Sequence, residues 1–327
     1  MSKNSDQPIA PKPYDFIPIS LPITLATVGH ETRHGKGYNS GKLAYQITAL
    51  SPLFVAGGSY LLGGDDLPGV DEPVVRAFYR VNGQPVIPGS SLKGLARSVV
   101  EAISPSCVTI TRLDPRLLPQ AAADCQPNNA CPACSIFGRM SRMAKVTFTD
   151  ARLVKGKTQF HRLPALFSPR AGQAKQTYQA GGQYKGRKFY YHGRGREDEQ
   201  QPPVEIIPPK SLLHGEILFE NLSHAELGLL FIALGFDASF ALKLGGGKPA
   251  CLGSIQVQPG ELTLLNVADF LQAESGATPL TGEAMVEAMV KRIRTALKQK
   301  LILREQLDKL REIWRYPNDR DCPAGLY

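Results

Sequence analysis

Asp71 lies in the run Gly69-Val70-Asp71-Glu72-Pro73, and Val86-Ile87-Pro88-Gly89-Ser90-Ser91-Leu92-Lys93-Gly94 follows it. Pro88 and Gly89 interrupt a strand-like stretch, and Ser90 or Ser91 is placed to cap a helix starting there. The free N–H groups of a first helical turn, together with the helix dipole, favour an anion. Lys93 and Arg97 are four apart, share a helical face and can reach one phosphate chain. The chemistry on offer is a carboxylate near a phosphate-binding helix start. The plainer reading is a capped amphipathic helix with solvated cations, and spacing alone favours it.

A second constellation is the cysteines. Cys131-Pro132-Ala133-Cys134 has knuckle spacing, Cys125 lies just ahead of it, and Cys107 lies upstream across a loop rich in Pro and Asp. Four thiolates from two short segments suit a tetrahedral structural zinc. Residues 114–130 hold few large apolar side chains, so a metal would hold what a core does not. A redox dithiol and plain buried thiols are the competing readings. Cys107 is the least secure of the four ligands, and Cys251 and Cys322 read as unrelated to the site.

The third feature is a segment from Arg152 to Arg196 without a single Asp or Glu. It interleaves Lys185, Arg187 and Lys188 with Tyr178, Tyr184, Phe189, Tyr190 and Tyr191. Cations neutralise phosphates and aromatic faces stack bases. A solvated basic loop is the bland alternative, but it has no use for so many aromatics. The formal net charge of +9 across 327 residues agrees with an acidic partner. No apolar run approaches the roughly 20 residues of a membrane span. The N-terminus lacks a secretory pattern, and its prolines describe an extended leader. The expectation is a cytoplasmic protein with reduced thiols.

These groups need elements to position them. Leu43, Tyr45, Ile47 and Ala49 alternate as a first strand over 42–51. Residues 52–68 read as a Gly-rich loop and 74–87 as a hairpin around Asn82-Gly83. A helix over 90–103 precedes the cysteine loop. Strands follow over 145–154 and 212–222. Ser223-His224-Ala225-Glu226 is a capping box that opens a second helix. Gly245-Gly246-Gly247-Lys248 makes another Gly-rich loop before a last strand over 255–265. Residues 281–314 read as one long helix or a broken pair. The order strand, helix, strand, strand, helix, strand implies an α+β, ferredoxin-like core, common among RNA-recognition domains.

Four ordered blocks resemble the RAMP superfamily of CRISPR systems, and most closely the backbone subunits of type III effector complexes. They are residues 69–76, the turn 87–94, the pair 134–138 with 146–151, and the Gly-rich loop 245–253. The resemblance implies a modified ferredoxin-like or RRM (RAMP) core over 41–265, after a leader of residues 1–40. That core would carry a zinc insertion (105–136) and a basic, thumb-like hairpin insertion (155–205). A helical extension would follow over 266–327. Such subunits stack along a guide RNA (crRNA) beside paralogous subunits, and their thumbs divide the guide–target duplex. By the same resemblance Ser90, Ser91, Lys93, Arg97, Arg139, Tyr184, Lys185, Arg187, Lys188, Gly246, Gly247 and Lys248 would contact RNA. Asp71 would cleave target RNA with Mg2+ or another divalent metal. Asp65 and Asp66 are second choices.

The cysteine cluster resembles zinc-bearing variants near types III-D and III-E. Active relatives often place a histidine before a Gly pair where this chain has Phe54-Val55-Ala56-Gly57-Gly58. A flipped nucleotide would let its 2′-OH attack the next phosphate, and a carboxylate of ordinary acidity positions better than it abstracts near pH 7. Three other functions stay open. One is an inactive crRNA-coating scaffold. Another is a metal-independent guide-processing nuclease using His161 or His192, with His30 and His34 less attractive in the leader. The last is a zinc-stabilised RNA-binding protein outside CRISPR.

Overall fold

A computed structural model describes residues 12–19, 22–24, 26–27, 37–63, 70–108, 114–119, 125, 129–165, 177–195, 197–198, 200–265 and 279–322. Its centre is an antiparallel sheet. The long strands are β2 (Tyr38–Ala49), β12 (Leu212–Ser223) and β14 (Ser254–Leu265). Along the sheet the order is β13 (Leu242–Lys243), β14, β2, β12, β8 (Ala151–Lys155), β6 (Gln84–Ile87) and β5 (Arg80–Val81). A short β7 (Val146–Phe148) also pairs with β12. The expected alternation in β2 holds: Leu43, Tyr45, Ile47 and Ala49 are all buried.

Helix α1 (Gly89–Ile103) joins β6 to the cysteine loop, and buries Leu92, Ala96, Val99, Val100 and Ile103 along one stripe. α3 (His224–Ala233) starts at the predicted capping box, where Ser223 and Glu226 satisfy each other's backbone N–H groups. It is apolar almost all round, as befits a helix covered on every side. One cover is α4 (Gly282–Lys298), which comes so close that a side chain at Gly228 would strike the Arg292 backbone. α5 (Arg304–Ile313) follows as a separate helix, so the C-terminal region is a broken pair.

A second sheet runs β9 (Gln159–Arg162), β11 (Pro203–Ile206), β4 (Val74–Phe78), β3 (Ala56–Leu62). It changes two expectations. The Gly-rich stretch after β2 contains strand β3, because β4 offers it a partner. The predicted hairpin over 74–87 is divided: β4 leaves for this second sheet, and only β5 and β6 close around Asn82-Gly83, both with positive φ. The strand expected over 145–154 likewise breaks at Thr149-Asp150 into β7 and β8.

The leader also contributes. β1 (Tyr14–Ile17) pairs antiparallel with β10 (Arg187–Tyr190), Tyr14 facing Tyr190 and Ile17 facing Arg187. The segment Arg187–Tyr190 of the basic insertion is therefore folded against the chain's own N-terminal strand, while β9 and β11 of the same insertion belong to the second sheet.

Candidate nucleic-acid interface

α1, the basic insertion and the Gly-rich loop enclose one cleft of about 1010 Å³. α1 presents Ser91, Gly94 and Ser98 to it, small residues one turn apart that let a ligand approach the helix. Tyr184, Arg187 and Lys188 come from the insertion, and Gly245 and Lys248 from the Gly-rich loop. Ser91, Tyr184, Arg187, Lys188 and Lys248 are thus brought together from three distant stretches of sequence. Ser90, Lys93, Arg97, Arg139, Lys185, Gly246 and Gly247 do not line the cleft. Phe16, Lys243 and Trp314 do, and sequence reasoning missed them.

Aromatic rings set the cleft's character. The Lys188 ammonium lies 4.8 Å from the Tyr14 ring centre, 5.3 Å from Tyr178 and 4.8 Å from Tyr190. Ring faces attract a cation, so one ring from β1 and two from the insertion hold Lys188 in place. Lys185 lies 5.9 Å over Phe16. Behind them Trp314 is fully buried and donates its indole N–H to the Tyr190 carbonyl at 3.0 Å.

The helix start differs from the expectation. The N-cap is Pro88, and neither Ser90 nor Ser91 caps it. Instead the Gly89 N–H donates to Asp150 Oδ1 at 2.8 Å. The break between β7 and β8 puts that carboxylate there, and a side chain at Gly89 would run into the Phe148 carbonyl. The first turn therefore already holds an anionic group of the protein's own. Burial, then the Arg97 charge, pushes the Lys93 pKa down.

Three of the expected RNA-binding arginines are engaged elsewhere. Arg97 Nε donates to Glu101 Oε1 at 2.8 Å, Nη1 to the Gly138 carbonyl at 2.8 Å, and Nη2 lies 3.6 Å from Cys134 Sγ. Arg187 donates to Glu101 Oε2 at 2.7 Å and to the Cys107 carbonyl at 2.8 Å. Arg139 donates to the Cys125 carbonyl. All three brace the cysteine loop.

That loop brings Cys107, Cys125, Cys131 and Cys134 together, all buried, with their sulfurs within 4.8 Å of one another. Cys107 Sγ lies 3.6 Å from both Cys131 and Cys134. Four sulfurs at 2.3 Å from a tetrahedral zinc would stand about 3.8 Å apart. The Cys131 N–H points at Cys125 Sγ (3.2 Å) and the Cys134 N–H at Cys131 Sγ (3.5 Å), at the start of the short α2 (Pro132–Phe137). Cys107 raises the pKa of Cys125 and Cys134, while Cys131 falls to about 7: Cys107 pushes it up, and Cys125 and Cys134 pull it down further. Four thiolates around a divalent ion carry a net charge of about −2, which the three guanidiniums offset. The tetrad can hold a metal such as zinc. Cys251 and Cys322 stay apart from it, as expected, but are joined in a disulfide rather than reduced.

Asp71 lies away from the cleft, exposed on the approach to β4. Nothing among the described residues pairs with its carboxylate. Its neighbour Glu72 is held by Arg162 at 2.5 Å, and that guanidinium lowers its pKa. Asp65, Asp66, His30 and His34 lie outside the described residues. His161 Nδ1 meets Glu197 at 2.6 Å, and its Nε2 is buried without a partner among the described residues. His192 is fully buried, with Nδ1 2.8 Å from Ser254 Oγ and Nε2 3.0 Å from the Ala241 carbonyl. Burial, then the Lys243 charge, pushes it down to about 3. His192 is a packed core histidine with no access to a substrate, which removes it as an acid–base residue.

A family model described as RAMPs, the RAMP superfamily, matches residues 46–256. The match runs from within β2 to within β14 and takes in Asp71, the cysteine tetrad and the Gly-rich loop. No curated protein matches the chain.

Proposed function

The chain belongs to the RAMP superfamily, and from that premise we propose that it is a crRNA-binding backbone subunit of a type III-like CRISPR effector in antiviral defence. Membership itself carries the general reading of a CRISPR-associated RNA-binding protein. The observation that carries the finer reading is the cleft. Residues from α1, the basic insertion and the Gly-rich loop converge there, and among the described residues its lining contains cations and aromatic rings but no carboxylate. That is the composition a phosphate backbone with stacked bases requires.

Further observations support the rest of the proposal. Strands β14-β2-β12-β8 lie in the order fourth, first, third, second of a βαββαβ unit, which favours a ferredoxin-like core. The insertion around 155–205 is the thumb-like element, with part of it forming the cleft wall. The cysteine tetrad is a structural zinc site. Partners are crRNA, complementary target RNA and further copies or paralogues of such subunits, in the cytoplasm. No helix among the described residues is long and apolar enough to cross a membrane.

For chemistry we assign Asp71. A 2′-OH of the target would attack the adjacent phosphorus, the P–O5′ bond would break, and a cyclic phosphate and a 5′-hydroxyl would result. Asp71 would orient that hydroxyl from an exposed loop that paired RNA can reach. A divalent ion such as Mg2+, which takes one or two carboxylates and fills its shell with substrate phosphates, would be held by Asp71 and supply Lewis-acid charge.

A scaffold that coats crRNA without cutting is the second reading. It is favoured by the absence of any group pairing with Asp71 among the described residues. The test is gel-shift titration of the full chain with CRISPR repeat-derived RNA against unrelated RNA of equal length. Tighter binding of the former supports the proposal, while equal binding points to a general RNA-binding protein.

A further inference from the structure

Lys243 ends β13 and is 2% exposed. Its ammonium donates to the Cys251 carbonyl at 3.0 Å and to Ser254 Oγ at 3.4 Å, both neutral. No carboxylate of the described residues lies within ion-pair distance. The other buried lysine among the described residues is treated differently: Lys145, 8% exposed, sits 3.0 Å from both oxygens of Glu226. A buried charge without a counter-charge is costly, so Lys243 lacks something that Lys145 has.

Both Lys243 and Lys248 line the cleft, and Lys248 has no ion pair among the described residues either. Both lysines therefore border a cavity whose lining, among the described residues, holds no Asp or Glu. We propose that Lys243 and Lys248 form a phosphate subsite on the inner wall of the cleft, its counter-charge supplied by the backbone of bound RNA. The inference rests on the reading of the cleft as an RNA site and adds where one phosphate sits.

The electrostatics give the subsite a signature. Burial, then the charge of Lys248, brings Lys243 down to about 7. Burial lowers Lys248 as well. From the segment after β10, His192 faces Lys243 in its neutral form; from β14 comes the Ser254 hydroxyl, and Cys251 is disulfide-bonded. None of these supplies negative charge. A phosphate does, and it draws the proton back onto Lys243. RNA binding takes up a proton near neutral pH and weakens as pH rises past it.

The test is fluorescence anisotropy of the full chain with a labelled repeat-derived RNA at pH 6.5 and 8.5, with inorganic phosphate as a competitor. Wild type should bind about tenfold more weakly at the higher pH, the loss of one charge-assisted contact. Lys243→Arg, which stays protonated, should flatten that profile. Lys243→Met should bind weakly at both. Displacement by millimolar phosphate alone would assign the subsite to free phosphate rather than to RNA and overturn the proposal. So would a Lys243→Arg profile as steep as wild type, which decides the matter even if Lys243→Met fails to fold. No RNA binding by wild type at any pH would sink the functional reading itself. Binding that ignores Lys243 would sink only the subsite.

Discussion

Arg97 and Arg187 meet on the two oxygens of a single carboxylate, Glu101, at 2.8 and 2.7 Å. One arginine comes from α1 and the other from β10, so Glu101 fastens the basic insertion to the helix. Each guanidinium also reaches the cysteine loop, Arg97 at Gly138 and Cys134, Arg187 at Cys107. The cleft wall and the tetrad are thereby parts of one network.

Glu101→Gln leaves two largely buried guanidiniums without their charge partner. Breaking such a pair costs about 3 kcal/mol. The melting temperature should fall clearly in a thermal scan, and RNA affinity should fall with it because Arg187 loses its anchor. An unchanged melting temperature would show that the network contributes little.

Metal analysis of the purified chain should find one zinc-like ion per molecule, absent in Cys131→Ser. Structural sites of this kind hold their loops folded. The variant and the chelator-treated wild type should both lose stability, and both should loosen the insertion that Arg187 ties to Cys107. Full thermal stability after the metal is stripped would make the four sulfurs ordinary buried thiols.

His192 sets an acid dependence. Its folded value is about 3 against about 6.5 in an unfolded chain. Between those values the unfolded state holds the extra proton, so stability falls as pH drops below about 6.5, by roughly 1.4 kcal/mol per unit. Denaturant melts at pH 5 and pH 6.5 should show a smaller difference for His192→Gln than for wild type. Identical differences would mean that His192 is not held neutral.

Much of the framework was legible before the structure. The alternation in β2, the stripe of α1 and the Ser223–Glu226 box are local patterns, and local patterns survive in single sequences. The cysteine quartet was legible from spacing. What could not be read was which cations were free. Arg97, Arg139 and Arg187 look alike as charges, and their acceptors at Gly138, Cys125 and Cys107 depend on long-range packing. β1 was hidden among prolines because its strand partner among the described residues, β10, lies far along the chain. Lys243 had one faint signal, a lone lysine between leucines in Leu242-Lys243-Leu244.

Asp71→Ala should abolish metal-dependent cleavage of target RNA by the assembled complex while crRNA binding stays within about twofold, since surface substitutions away from an interface change little. Cuts that persist in the variant would move the chemistry elsewhere. Tight target binding without cuts in either form would leave the chain a scaffold.

The most direct measurement of the central claim is photo-crosslinking of repeat-derived RNA to the full chain, with the crosslinked peptides mapped by mass spectrometry. The account predicts crosslinks in the peptides holding Tyr178 to Tyr190 and Lys243 to Lys248, two of the three walls of the cleft. Crosslinks confined to other surfaces, with these peptides recovered unmodified, would contradict it.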